Sequence, residues 1–198
     1  MKDLEALVAA RRDQPSPVLT IEVPLLRLLS AVECDHLTRS LGEEAGVWEV
    51  ATATERLWET LPDSPGLYMF VWCPTLRLSM AAGGHSGRLP YILYVGQTGG
   101  RGGPMTLRQR YKHYLRYLAG GAEQLWTEPL VRTRESLMNR FLKLRPLEFW
   151  YSVAPDCRSI PALEDRLIQF LNPPLNIARR PRIIAKPARP AFMQPKEV

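Results

Sequence analysis

Two short apolar segments of the chain each carry a tyrosine inside a predicted strand. Tyr68 lies in GLYMFVWC and Tyr94 lies in YILYVG, after which small residues follow. Runs of this length, rich in β-branched and aromatic residues, are typical of buried strands. A tyrosine hydroxyl has an ordinary pKa of about 10, so it can position a water molecule or, where nearby cations lower its pKa, act as a general base. The alternative is a core tyrosine with a satisfied hydroxyl and no chemical role.

Two charged residues border the buried faces of predicted helices. Arg110 lies beside the apolar stripe of a helix predicted between Thr106, its N-cap, and Gly120. A guanidinium in that place can bind phosphate oxygens with two parallel hydrogen bonds. Glu164 lies at the edge of the core face of a helix predicted in SIPALEDRLIQFL, whereas Asp165 is predicted to point to solvent. Taken alone, each of these charges could equally be an ordinary surface residue.

The charge of the chain is divided unevenly along its length. Residues 1–63 carry twelve acids against six Lys or Arg, a balance of −6, and residues 64–198 carry eight acids against twenty, a balance of +12. No Asp or Glu occurs between Ser64 and Ala122. The basic residues of that stretch are Arg77, Arg88, Arg101, Arg108, Arg110, Lys112 and Arg116. This pattern indicates a polyanionic partner such as nucleic acid, the alternative being a solvated basic surface.

The remaining elements divide the chain into three parts. Residues 1–60 predict an acidic, mostly helical accessory region that includes a strand at PVLTIEV (17–23). A further helix is predicted in RESLMNRFLKL and a third strand in LEFWYSVA (147–154). Residues 179–198 form a basic, proline-rich tail, which we expect to be extended or disordered without a partner.

The composition sets limits on the compartment. No apolar run reaches eighteen residues, so we expect no membrane-spanning helix, and the N-terminal sequence is too charged for a secretory leader. The three cysteines, Cys34, Cys73 and Cys157, are odd in number and far apart, which predicts neither a disulfide framework nor a zinc site. We therefore expect a cytoplasmic protein without a membrane partner.

The order of these features resembles the GIY-YIG nuclease family. GLY at 66–68 and YVG at 94–96 stand where that family has its two strand motifs, and Arg110, Glu164 and Asn176 follow in the family's order. The resemblance covers about residues 61–178. It implies an α+β fold with a small three-stranded antiparallel sheet flanked by helices. It also implies an endonuclease that hydrolyses DNA phosphodiester bonds with one divalent cation, Mg²⁺ or Mn²⁺.

The resemblance also implies roles for single residues. Tyr68 and Tyr94 match the motif tyrosines, Arg110 the helix arginine and Glu164 the metal-binding carboxylate. Asn176 matches the asparagine that follows, which would line the site or cap the preceding turn. A single carboxylate suits Mg²⁺, which keeps most of its waters and is otherwise held by substrate phosphate, whereas two-metal sites need several carboxylates. The predicted nucleic-acid-binding residues are Gly96, Arg101, Arg108, Lys112 and Arg116.

Some positions depart from the family pattern. A histidine often stands four residues after the helix arginine; here that position is Tyr114, with His113 one residue earlier, and either could serve as the catalytic group. Gln97 stands where a lysine is frequent. The cellular role could be restriction or phage defence, repair or mobile-element cleavage, and RNA is an alternative substrate. A second hypothesis is a nucleic-acid-binding or complex-forming module with little or no nuclease activity, in which acidic residues 1–63 contact a protein partner or cover the basic cleft.

Overall fold

The centre of the molecule is a four-stranded antiparallel sheet. The computed structural model describes residues 2–79, 86–100, 103, 105–127 and 132–177. In the order in which they pair, the strands are β1 (Trp48–Thr52), β6 (Leu147–Val153), β2 (Gly66–Trp72) and β5 (Tyr91–Thr98). A separate two-stranded hairpin joins β3 (Arg77–Ser79) and β4 (Ser86–Arg88). The mixed α+β fold with an antiparallel sheet is thus confirmed.

The predicted number of three strands is wrong, because β1 adds a fourth strand beside β6. It pairs Trp48 with Ser152 and Thr52 with Glu148, although it comes from the segment assigned to the accessory region. The strand predicted at residues 17–23 is also wrong, since no regular structure occurs there. Leu175 and Asn176 lie along the outer edge of β5. There the Leu175 N–H donates to the carbonyl of Leu93.

Seven α-helices occur in the described residues and surround the sheet. They are α1 (Lys2–Ala10), α2 (Leu25–Leu28), α3 (Ala31–Glu44), α4 (Leu107–Lys112), α5 (Leu115–Leu118), α6 (Arg134–Phe141) and α7 (Ile160–Leu171). The single helix predicted after Thr106 is two short helices, broken at residues 113–114. Thr106 is the N-cap as predicted, and it forms a capping box with Gln109. None of the described helices is long and apolar enough to cross a bilayer.

The sheet separates two hydrophobic cores. One core is aromatic and packs Tyr68, Phe70 and Phe149 of the sheet against Tyr111 and Tyr114 of the α4–α5 region. The other core is aliphatic and packs the opposite face of the sheet against α7. Tyr68 is therefore buried between the sheet and the helices, in the aromatic core.

A bulge in β5 determines where Tyr94 points. Phe70 pairs with Tyr94 but Val71 pairs with Ile92, so Leu93 is an additional residue in β5. Leu93 and Tyr94 consequently both lie in the aromatic core, although they are adjacent in a strand. Bulges commonly re-aim a side chain in this way.

Candidate active site

A cavity of about 270 Å³ opens where β2, β5, α4, α6 and α7 meet. The side chains that line it are Tyr68, Tyr94, Gln97, Arg110, Arg134, Glu164, Asn176 and Ile177. Five of these are residues predicted for the site, and they come from positions up to 108 residues apart in the sequence. No residue of the acidic segment 1–63 is among the described side chains that line the cavity.

Tyr68 occupies the middle of the site and is only 1% exposed. Its ring stacks on Phe149 of β6, with ring centroids 5.4 Å apart, and meets the ring of Tyr114 edge-on at 5.9 Å. The hydroxyl oxygens of Tyr68 and Tyr114 share a hydrogen bond of 2.7 Å. Aromatic packing thus fixes the ring, and the hydrogen bond fixes the hydroxyl.

Gly96 is required by Tyr68. The two residues are direct partners across β2 and β5. A Cβ at position 96 would lie 2.4 Å from both Cζ and Oη of Tyr68, far closer than van der Waals contact. The glycine at position 96 therefore allows the Tyr68 side chain to lie against the β5 backbone.

Tyr94 and Tyr114 are joined by an arginine that was not predicted for the site. Nη2 of Arg134 donates to the hydroxyl of Tyr94 at 2.9 Å and to the hydroxyl of Tyr114 at 3.1 Å. Arg134 is the first residue of α6, and its contacts span 40 and 20 positions of sequence. No local pattern in the sequence distinguishes it from other helix arginines.

The structure separates the two candidates for the position after the helix arginine. Tyr114 is 2% exposed and belongs to the hydroxyl network described above. His113 is exposed at the C-cap of α4. Neither residue lines the cavity itself, but Tyr114 is hydrogen-bonded to Tyr68 and Arg134, which do. The geometry therefore favours Tyr114 for this role.

Burial determines the protonation of two of the tyrosines. It raises the pKa of Tyr68 well above 10, and the neighbouring Tyr114 and Tyr94 raise it further, while Arg110 opposes the shift. Burial likewise raises the pKa of Tyr114, against the lowering effect of Arg134. With the groups of the protein alone, both hydroxyls keep their protons at neutral pH and act as hydrogen-bond partners.

We expect the protein to lose stability at alkaline pH because of these tyrosines. An unfolded tyrosine ionises near pH 10, whereas burial raises the pKa of Tyr68 and Tyr114 above that value and the pKa of Tyr151 to about 12. A raised pKa gives stability that is complete below about pH 10 and is lost as the pH rises through the folded-state values. Melting temperatures by circular dichroism should therefore be level between neutral pH and about pH 9.5 and fall above about pH 10. Tyr68→Phe should weaken the fall, and an identical fall in that variant would contradict the assignment.

Arg110 brings an unpaired donor to the cavity. Among the described residues, its Nε is the buried side-chain polar atom that has no hydrogen-bond partner. A buried donor left without an acceptor costs about 1–3 kcal/mol, and such groups in native structures call for an explanation. An anion in the cavity would supply the missing acceptor.

Glu164 brings a carboxylate to the cavity, whereas the amide of Asn176 is hydrogen-bonded to the backbone of Val95. Glu164 is 5% exposed, more buried than its predicted place at the edge of a helix face. It has the one carboxylate among the described residues that line the cavity. Both polar groups of the Asn176 amide are used by Val95: Oδ1 accepts from its N–H at 2.9 Å and Nδ2 donates to its carbonyl at 2.8 Å. Asn176 thus fastens the segment after α7 to the edge of β5.

This donor set fits a hydrated magnesium ion. In the described part of the chain, no three or more His, Cys, Asp or Glu side chains group together as a metal site. One buried carboxylate in a polar cavity is too little for zinc, whereas Mg²⁺ is commonly held by one or two carboxylates together with water and substrate phosphate. Glu164 would be the ligand that the protein contributes.

Three other predicted nucleic-acid-binding residues, Arg108, Lys112 and Arg116, are not among those that line the cavity. Arg108 donates from Nε to the carbonyl of Leu61 at 2.9 Å, and Lys112 lies over the ring of Trp58 with Nζ 4.0 Å from its centre. Arg116 is exposed beside Glu135, with 3.6 Å between their charged atoms. Two residues along a helix rotate a side chain by about 200°, so Arg108 and Lys112 face away from Arg110. Arg101 lies outside the described residues.

The chain matches no family model, no curated protein and no solved structure. Its function must therefore be inferred from the side chains that meet in this cavity.

Proposed function

We propose that the chain is an endonuclease that hydrolyses phosphodiester bonds in DNA with one bound divalent cation, Mg²⁺ or Mn²⁺. The observation that supports this proposal is the single cavity in which Tyr68, Tyr94, Arg110, Glu164 and Asn176 meet. Each of these was a candidate for the same site on the basis of its sequence position and of the resemblance to the GIY-YIG nuclease family. The surplus of basic residues after position 63 favours a polyanionic substrate.

Arg110 is the group that we assign to the phosphate. Attack on a phosphodiester increases the negative charge on its non-bridging oxygens, and preorganised donors that face those oxygens stabilise the transition state. Arg110 lines the cavity, and its Nε is buried without a hydrogen-bond partner, so the guanidinium has a donor left for the phosphate. A charge-assisted hydrogen bond to phosphate would satisfy it.

Glu164 is the group that we assign to the cation. When bound there, Mg²⁺ or Mn²⁺ would supply Lewis-acid stabilisation of phosphate charge and lower the pKa of a coordinated water. The buried position of Glu164 keeps its carboxylate oriented towards the cavity, and Asn176 keeps the adjoining segment against β5.

Tyr68 and Tyr94 are assigned to orientation of the reactants. Tyr68 lines the cavity and its hydroxyl is fixed by the 2.7 Å hydrogen bond to Tyr114, so we assign it to positioning the attacking water by hydrogen bonding. Tyr94 lines the same cavity and can donate its proton to a phosphate oxygen. A cytoplasmic nuclease of this kind would serve restriction or phage defence, or repair.

The test is cleavage of end-labelled single-stranded DNA, double-stranded DNA and RNA of the same sequence, each with Mg²⁺, Mn²⁺ or EDTA. We expect cleavage of DNA that requires the cation and stops when the cation is chelated. Cleavage of RNA alone would correct the substrate. Tight binding of DNA without cleavage would overturn the proposal and favour a binding module.

A further inference from the structure

Arg134 has an unusual position for a residue at the start of a helix. Thr133 caps α6 through a capping box with Ser136, and this fixes the direction in which the first helical residue points. From there the Arg134 guanidinium lies 5.0 Å from the centre of the Tyr94 ring and lines the cavity opposite α4. Its Nη2 is shared between the hydroxyls of Tyr94 and Tyr114.

The chemistry of arginine gives this network a direction. A guanidinium has donors and no acceptor, so the oxygens of Tyr94 and Tyr114 both accept from Arg134. Each of these tyrosines must therefore direct its own proton to another acceptor. Tyr114 is in turn 2.7 Å from the hydroxyl of Tyr68, which continues the network to the strand that carries the first motif tyrosine.

We propose that Arg134 is a positioning residue of the active site, which fixes the hydroxyls of Tyr94 and Tyr114 and, through Tyr114, that of Tyr68. This inference rests on the nuclease function proposed above. Without Arg134, the oxygens of Tyr94 and Tyr114 lose their shared donor, and the two hydroxyls are no longer fixed from α6. Arg134 then acts on the reaction through the tyrosines, whereas Arg110 acts on the phosphate itself.

The first part of the test is kinetic. It compares Arg134→Ala with the control Arg132→Ala, which removes an exposed arginine two positions earlier. We expect Arg134→Ala to lower kcat by about 10²-fold, as misplaced catalytic groups do, with little change in KM. Free guanidinium at a non-denaturing concentration should restore part of the rate, because the Arg134 side chain is partly open to solvent. Arg132→Ala should keep the wild-type kcat and show no response to guanidinium. An unchanged kcat in Arg134→Ala, or a loss confined to KM, would overturn the inference.

The second part needs no nucleic acid and separates this inference from the proposed function. With ¹³Cζ-labelled tyrosine, the NMR signals of Tyr94 and Tyr114 should shift in Arg134→Ala and stay in place in Arg132→Ala. Signals that do not move would overturn the inference whether or not the wild type cleaves DNA. If the signals move but the wild type cleaves no DNA or RNA, the proposed function is overturned. Arg134 would then position the tyrosines without a role in that reaction.

Discussion

Replacing Glu164 with glutamine is expected to reduce DNA cleavage by about 10³-fold or more, the scale seen when one group that stabilises transition-state charge is removed. Glutamine keeps the size and shape of the side chain and removes its negative charge. Among the described residues that line the cavity, Glu164 has the one carboxylate, so no other of them offers a negatively charged oxygen to a hard cation. The rate should be measured at saturating Mg²⁺ and again with Mn²⁺, together with calorimetric titration of Mn²⁺ into each protein.

Asp165→Asn is the matched control for Glu164→Gln. Asp165 is the next residue of α7 and carries the same charge, but it is only half-buried and does not line the cavity. This control should cleave DNA at about the wild-type rate and bind Mn²⁺ normally. If Glu164→Gln retained full activity while its melting temperature matched that of the wild type, Glu164 would not be the metal ligand.

The candidate site was predictable where each residue lies on an element with strong local signals. Tyr68 and Tyr94 lie on continuous apolar strands, and Arg110 follows an N-cap at Thr106 that the structure confirms. Arg134 was not predictable, because its partners lie 20 and 40 residues away and only the packing of α6 brings them together. Contacts of this range leave no periodic pattern in the sequence.

Three strands of the sheet were predictable and the fourth, β1, was not. β2, β5 and β6 are rich in buried residues, whereas β1 has the residues Glu49, Val50 and Thr52 exposed and therefore lacks the apolar run that indicates a strand. Residues 17–23 are the reverse case, because the sequence predicted a strand and the structure has no regular element there. Alternation indicates that one side of a segment is buried, and this occurs here without pairing, since Val18 is 71% exposed while Leu19 packs against the aromatic core.

The basic flank of α4 illustrates how charge patterns mislead about position. Arg108 and Lys112 were expected to bind nucleic acid, and both contact the segment that precedes β2 through Leu61 and Trp58. Because long basic side chains cover apolar surface with their stems, a count of charges in the sequence does not separate such residues from those that meet a substrate. Arg110, two positions from each, is the one that the helix turns towards the cavity.

Gly96→Ala is expected to displace Tyr68 and to lower DNA cleavage by about 10²-fold, the effect of a misplacement of about 1 Å at a catalytic group. The new Cβ would lie 2.4 Å from Oη of Tyr68. The ring is 1% exposed and packs against Phe149 and Tyr114, so it can move away from position 96 only by disturbing this packing. Overpacking of this kind also costs about 1–3 kcal/mol of stability. Cleavage rates and urea unfolding curves should be measured on the same preparation.

Gly42→Ala provides the matched control for Gly96→Ala, because it makes the same change at a glycine of α3 where a Cβ would meet no atom within 4 Å. Alanine is favoured over glycine inside a helix by about 0.5–1 kcal/mol, so this variant should be slightly more stable than the wild type and equally active. The contrast isolates the crowding at Tyr68 from the general effect of adding a methyl group. If Gly96→Ala kept both its stability and its activity, Tyr68 would have room to move, and its fixed position could not be part of the mechanism.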